Sequence, residues 1–220
     1  MGFDRERMYQ GAFLPHCEAG GRPQMITIRL HDSLPTDVLR RLQAEADEQR
    51  RRQLTEQYLD RGLGSCVLRH PKAGKIVKEA LEFYDGDAYT LGDWVVMPNH
   101  IHFVYTQPNR PVGKICKDFK SYTGLMINRL VGRSGKLWQR DYHDRYARDA
   151  GHLSNMRFYT LLNPVKAKLA DDPFDWEFSS VHEYEPAFKD DIRRWYRHWR
   201  KRFWEAPVLS NRSTDAPTPR

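Results

Sequence analysis

The sequence predicts an α+β protein, a ferredoxin-like antiparallel sheet with helices on one face, followed by a basic, aromatic helical extension. Three observations predict it. The elements read in the order strand, helix, hairpin, helix, strand, helix. The β-favouring segments 89–96 and 101–105 are separated by the breaker Pro98-Asn99, which makes a hairpin. Ile115, Phe119, Tyr122 and Met126 recur at spacings of three and four, one face of a helix.

In chain order, residues 1–24 are Gly- and charge-rich and read as an N-terminal arm. Residues 25–30 alternate as a first strand. Ser33-Leu-Pro-Thr36 supplies turn and cap chemistry before a polar helix that reaches Arg52, with Val38, Leu39 and Leu42 as its apolar stripe. Residues 54–71 carry Gly62 and Gly64 and little periodicity, so they read as a loop-rich insertion. A helix over 75–84 is stopped by Asp85-Gly86, and the hairpin follows. Pro108 and Pro111 break the chain before the helix 112–131. Gly132 and Gly135 bracket a turn, and 137–148 supplies a fourth strand around Tyr142 and Tyr146. The helix starting near Gly151 carries Leu153, Met156 and Phe158. It should end near Leu162, because Pro164 disfavours helical geometry in Asn163. Past Glu185-Pro186, Ile192, Trp195, Tyr196, Trp199 and Phe203 form a stripe interleaved with arginines, read as a DNA clamp, a membrane-surface helix or, the favoured reading, a docking face with the cations outward. The Pro/Ser/Thr-rich stretch 206–220 reads as disordered. The divisions are therefore 1–24, 25–185 and 186–220.

Composition narrows the function. A chain of 220 residues with 40% hydrophobic and 12% aromatic content buries a real core. Its net charge of +7 favours a polyanionic partner, although solubility alone needs no more. Cys17, Cys66 and Cys116 are odd in number and widely spaced, which fits a reducing compartment and no Cys-based zinc site. Neither a signal peptide nor a membrane-spanning run is visible, so the expected location is cytoplasmic, at the nucleoid.

His100 and His102 flank Ile101 on a strand, so both imidazoles project from the same face. Side by side they are half of a divalent-metal site, or two histidines on a solvated face. Their place at the mouth of a hairpin in a basic protein favours the metal. Asn155, Tyr159 and Asn163 stand four apart and line one helical face. Tyr159 is either a nucleophile beside that ion or an amphipathic core residue, and Asn163 a ligand or a helix-terminal amide.

Four stretches carry a family resemblance: Trp94-Val-Val-Met-Pro-Asn-His-Ile-His-Phe103, Lys120-Ser121, Leu137-Trp-Gln-Arg-Asp-Tyr142 and Tyr159-Thr-Leu-Leu-Asn-Pro-Val-Lys-Ala167. In this order they resemble the REP-associated tyrosine transposases, bacterial relatives of the single-tyrosine transposases in the HUH superfamily of single-strand nucleases. The resemblance spans roughly residues 25–180. It implies a ferredoxin-like core, His100 and His102 as metal ligands, Tyr159 as the nucleophile and Asn163 as an amide ligand. It also implies Mg²⁺ or Mn²⁺ as cofactor and single-stranded DNA hairpins, called REP sequences, as substrate. Thr160, Leu161 and Lys168 depart from the residues many relatives carry, and none matches a named role. On this reading the chain is a single-strand endonuclease and strand transferase working through a 5′-phosphotyrosine, as monomer or homodimer.

Lys114, Lys117, Lys120, Lys136, Arg140, Arg145 and Arg148 surround the motifs and could track phosphates, or be ordinary solvated charges. Trp138 could stack a base or fill the core. Two rival classes stay open: a zinc hydrolase taking a further ligand such as Asp93, and a hairpin-binding protein that does not cut.

Overall fold

A computed structural model of the chain describes residues 6–11, 15–106 and 108–203. The strands β1 (Glu6–Gln10) and β2 (Pro15–Ala19) form a separate antiparallel pair, so the Gly- and charge-rich start of the chain carries a two-stranded ribbon. The main sheet contains β3 (Gln24–Arg29), β4 (Thr90–Val96), β5 (His100–Thr106) and β6 (His143–Tyr146). Its order is β4-β5-β3-β6 and every pairing is antiparallel. The first strand lies between the third and the fourth, which is the ferredoxin-like arrangement expected.

Pleating sorts the side chains. Ile26 and Ile28 of β3, Trp94 and Val96 of β4, and Ile101, Phe103 and Tyr105 of β5 all enter one core. They meet the apolar stripes of α3 (Pro71–Phe83) and α4 (Val112–Leu130) there. Of the face that the 3.6-residue period predicted on α4, Ile115 and Phe119 are buried in this core, whereas Tyr122 is 51% exposed and Met126 half-buried; Val112, Cys116, Thr123 and Ile127 complete the buried stripe instead. The opposite parity, Met25, Thr27, Arg29, His100, His102 and Val104, turns to the other face. The helix α5 (Ala150–Lys166) lies there, with Met156 packed on Met25 and Val104. Thus α3 and α4 share one face as expected, and α5 is an addition on the other.

Three boundaries differ from the sequence expectation. Residues 36–60 are two helices, α1 (Thr36–Ala44) and α2 (Glu48–Asp60), and residues 54–60 of the supposed loop-rich insertion belong to α2. Asp47 restarts the helix by accepting a hydrogen bond from Arg50 N at 2.9 Å. Leu59 then closes a small core with Leu34, Val38 and Leu42. The fourth strand is limited to β6; Trp138 makes only a single bridge to Leu30. Finally, α5 runs through Pro164 to Lys166. A proline inside a helix costs about 3 kcal/mol. Burial of Leu161, Leu162 and Val165 offsets that cost, and Ala167 N resumes the bonding at Asn163 O, 2.9 Å away.

The chain divides into two compact units, residues 1–184 and 185–220. The second contains α6 (Pro186–Phe203), on which Arg193 pairs with Asp190 and Arg194 with Asp191. The side chains of Trp199 and Phe203 and the stretch 206–220 lie outside the described residues. Among the described residues no helix is long and apolar enough to cross a membrane.

Candidate active site

The pleat puts His100 and His102 on one face of β5, and both are fully buried. Their rings stand 4.7 Å apart, edge to face. Each Nδ1 is held by a neighbour: His100 Nδ1 lies 2.7 Å from Asn99 Oδ1, and His102 Nδ1 lies 2.8 Å from Thr27 Oγ1. Asn99 is oriented in turn, because its Nδ2 donates to Leu63 O at 3.0 Å. An amide with its donor side spent presents oxygen to His100, so Nδ1 carries the proton and Nε2 keeps its lone pair. Gly64 makes this loop possible. It sits at φ +85°, and a Cβ there would meet the Asp32 carbonyl oxygen at 2.4 Å.

Among the described residues, the Nε2 atoms of both histidines are buried without a hydrogen-bond partner, as are Oδ1 and Nδ2 of Asn163. Buried polar atoms are almost always satisfied, so two orphaned imidazoles side by side and an orphaned amide on α5 are unusual. Tyr159 stands one turn before Asn163 on α5, and its ring lies 5.4 Å from that of His102. Asn155, which shares their helical face, is exposed.

The sequence reading missed Glu56. It projects from α2, accepts a hydrogen bond from the Tyr159 hydroxyl and places Oε2 4.0 Å from His102 Nε2. One signal could have found it: Arg52, Glu56 and Asp60 are spaced by four, one face of a helix. Lys166 Nζ pairs with Asp60 at 3.0 Å, donates to the Tyr159 hydroxyl at 3.3 Å and sits over the Tyr159 ring. This pair ties α2 to α5 across Tyr159.

Burial sets the electrostatics. It raises the Tyr159 phenol well above its ordinary value, and the adjacent Glu56 carboxylate adds to the rise. Burial also lowers both imidazoles, His100 further through His102, and His102 down to about 3 with help from Lys166. A histidine depressed in the fold is protonated more readily in the unfolded chain, so stability rises with pH through this region. Stability is full above about pH 6.5 and falls as pH drops toward the folded values, by about 2 kcal/mol at about pH 5 for His102. Melting of the metal-free protein should show this loss, and the His100→Gln/His102→Gln double variant should lack most of it. Equal slopes for the two proteins would contradict the assignment.

The remaining candidates scatter. Lys114, Lys117 and Lys120 project from α4, in the layer opposite the imidazoles, and Lys120 Nζ donates to Arg140 O at 2.6 Å. Lys136, Arg140 and Arg148 are exposed, and Arg145 lies on the imidazole face of β6. Trp138 is a correction: it is 6% exposed, donates Nε1 to Thr123 Oγ1 at 2.8 Å and packs near Phe119, so it fills core and offers no face to a base. Asp93 is occupied elsewhere, accepting from Arg157 Nε at 2.6 Å and from Tyr184. Among the described residues, no cluster of three or more His, Cys, Asp or Glu side chains could hold a metal. An ion on this pair therefore needs the Asn163 amide or ligands from substrate and water.

Comparison with known proteins gives two curated relatives. One, from Haemophilus influenzae, is provisionally named a REP-associated tyrosine transposase; it is 27% identical over 122 residues, 48% of this chain and 64% of that protein. The other, a REP-associated tyrosine transposase from Escherichia coli K12, is 26% identical over 96 residues, 43% of this chain and 55% of that protein. The matches thus span less than two thirds of either relative. A solved structure of a REP-associated tyrosine transposase bound to a REP hairpin aligns over 80% of this chain and 82% of its own, with TM-score 0.46 and 21% identity. No family model matches. The resemblance read from the four motif stretches is borne out by the two curated relatives.

Proposed function

We propose that this chain, similar in sequence to REP-associated tyrosine transposases, is a metal-dependent single-strand DNA endonuclease and strand transferase. It acts on REP-type hairpins through a 5′-phosphotyrosine. One observation carries the reading: a half-buried tyrosine hydroxyl, hydrogen-bonded to a carboxylate, adjoins two imidazoles whose Nε2 atoms have no partner among the described residues.

The donor set fits Mg²⁺ or Mn²⁺. His100 Nε2, His102 Nε2 and Asn163 Oδ1 would hold the ion, with Glu56 close to His102. When bound, it supplies positive charge to the phosphate and a template for in-line attack. The rest of the chemistry belongs to the side chains. Glu56 takes the proton as the Tyr159 O–H bond breaks, which answers the raised pKa of a buried phenol. Lys166, above the ring and within hydrogen-bond reach of the oxygen, stabilises the phenolate charge. Tyr159 Oη then bonds to phosphorus, and the bond to the 3′ oxygen breaks. Its electron pair leaves with that oxygen, which collects a proton to become a free 3′-OH. One phosphodiester is exchanged for another, so attack by a second 3′-OH reverses the step and joins strands without ATP.

The test is incubation of the full chain with end-labelled single-stranded hairpin DNA and Mg²⁺ or Mn²⁺, followed by denaturing electrophoresis. A covalent protein–DNA species is expected. Binding without any such species would leave the non-cutting hairpin binder as the function. Glu56→Gln keeps the shape and removes the base, so adduct formation should slow by about 10²- to 10⁴-fold, the range for losing a general base. Hairpin affinity should hold. A single-turnover rate matching the unaltered protein would remove Glu56 from the mechanism.

A further inference from the structure

Strand register extends the imidazole face beyond the residues that the reaction uses. Thr27 on β3 pairs with His102 on one side and with His143 of β6 on the other. Directly opposed residues share a face, so His102, Thr27 and His143 form a row across three strands. At about 4.8 Å per strand, His143 stands roughly 10 Å from His102. Arg29 pairs with His100 and Arg145 with Met25, so both belong to the same face.

Arg29 is buried and lacks the partner that a buried charge ordinarily has, while Arg145 is exposed. Arg29 is 7% exposed, yet its guanidinium reaches only Leu30 O at 3.4 Å and Ser33 Oγ at 3.2 Å. Among the described residues no carboxylate lies within ion-pair distance of Arg29 or Arg145. An isolated buried cation is costly, and sequences that keep one commonly use it for an anion. Burial lowers Arg29 to about 10, still charged at neutral pH. Burial lowers His143 too, leaving a neutral imidazole with one N–H to donate. The negative charge that acts on both His143 and Arg145 is Glu56, which is engaged with Tyr159.

We propose that Arg29, His143 and Arg145 are a phosphate track for the single strand, leading it from the scissile position at His100 and His102 across β3 to the β6 edge. This rests on the reading of Tyr159 and the two imidazoles above, and names where the strand leaves them. The track binds a flexible single strand, whose phosphates can follow the sheet, and not the hairpin stem.

The experiment measures anisotropy of a fluorescein-labelled DNA hairpin with single-stranded arms against the full chain over a KCl series. The same hairpin without arms is run in parallel. Arg145→Gln and Arg29→Met should each weaken binding of the armed hairpin about tenfold at low salt. Each should also reduce the slope of log affinity against log salt by about 0.7, one single-strand phosphate contact. His143→Gln should weaken binding and leave the slope alone, because a neutral imidazole releases no counterion. The melting temperature of Arg29→Met should hold or rise, since an unpaired buried charge is removed. Unchanged slopes in both arginine variants would overturn the track, and so would an equal loss on the hairpin without arms. Arg145 is exposed, so its variant decides the matter even if Arg29→Met fails to fold. The adduct assay separates the two readings. Salt-dependent binding with no adduct in the unaltered protein sinks the nuclease and leaves the track; an adduct with unchanged slopes does the reverse.

Discussion

Tyr159→Phe should yield no covalent protein–DNA adduct under conditions where the unaltered chain accumulates one, and hairpin affinity should be retained. The substitution removes one oxygen, the atom that would bond to phosphorus, so the loss is complete rather than graded. Folding should survive. The lost partners are Glu56, whose side chain is 27% exposed, and Lys166, which keeps its ion pair with Asp60, so water replaces the hydroxyl at a cost of about 1 kcal/mol. Other tyrosines are placed for other work. Tyr142 is 6% exposed and stacked on His16 at 4.0 Å, and Tyr146 has Arg22 over its ring. Tyr122 projects from α4, on the layer away from the imidazoles. Peptide mapping of the adduct checks the assignment, and an adduct mapped to any of these three would overturn it.

His100→Ala or His102→Ala should lower cleavage by about a thousandfold or more, because several kcal/mol of transition-state charge stabilisation depends on the ion. Hairpin binding should change little. Both side chains are fully buried, so alanine leaves a cavity and glutamine is the volume-keeping control. A readout independent of turnover is Mn²⁺ binding by electron paramagnetic resonance, which either substitution should weaken sharply. Thr27→Val, which removes only the oxygen facing His102 Nδ1, should weaken it about 10- to 100-fold. Normal cutting by the alanine variants would end the metal assignment.

Much of the architecture was legible because it rests on short-range periodicity. The patterns of strands β3 and β5 and of helix α4 each repeat within a few residues, and the structure has all three elements, although the buried stripe of α4 passes through Thr123 and Ile127 and leaves Tyr122 exposed. The errors share a cause. Residues 54–60 look irregular because glycines follow them, yet the helix is restarted by Asp47 and held by Leu59 against α1. Pro164 reads as a terminator, and local preference does say so. Burial of its neighbours outweighs the penalty, which no window of sequence can weigh.

The candidate site divides along the same line. Two residues apart on a strand and four apart on a helix are distances that the backbone sets, so the pairs His100/His102 and Tyr159/Asn163 follow from sequence alone. Which face meets which is a matter of long-range burial. Only the tertiary structure brings Glu56 to the hydroxyl of Tyr159 across 103 residues, and Thr27 to His102 across 75. It also puts the α4 lysines in the far layer and Trp138 in the core, while Arg29 and His143 come to the imidazole face. Periodicity says which side chains of one element point together. The free energy of covering those faces, shared among elements distant in sequence, selects what they point at.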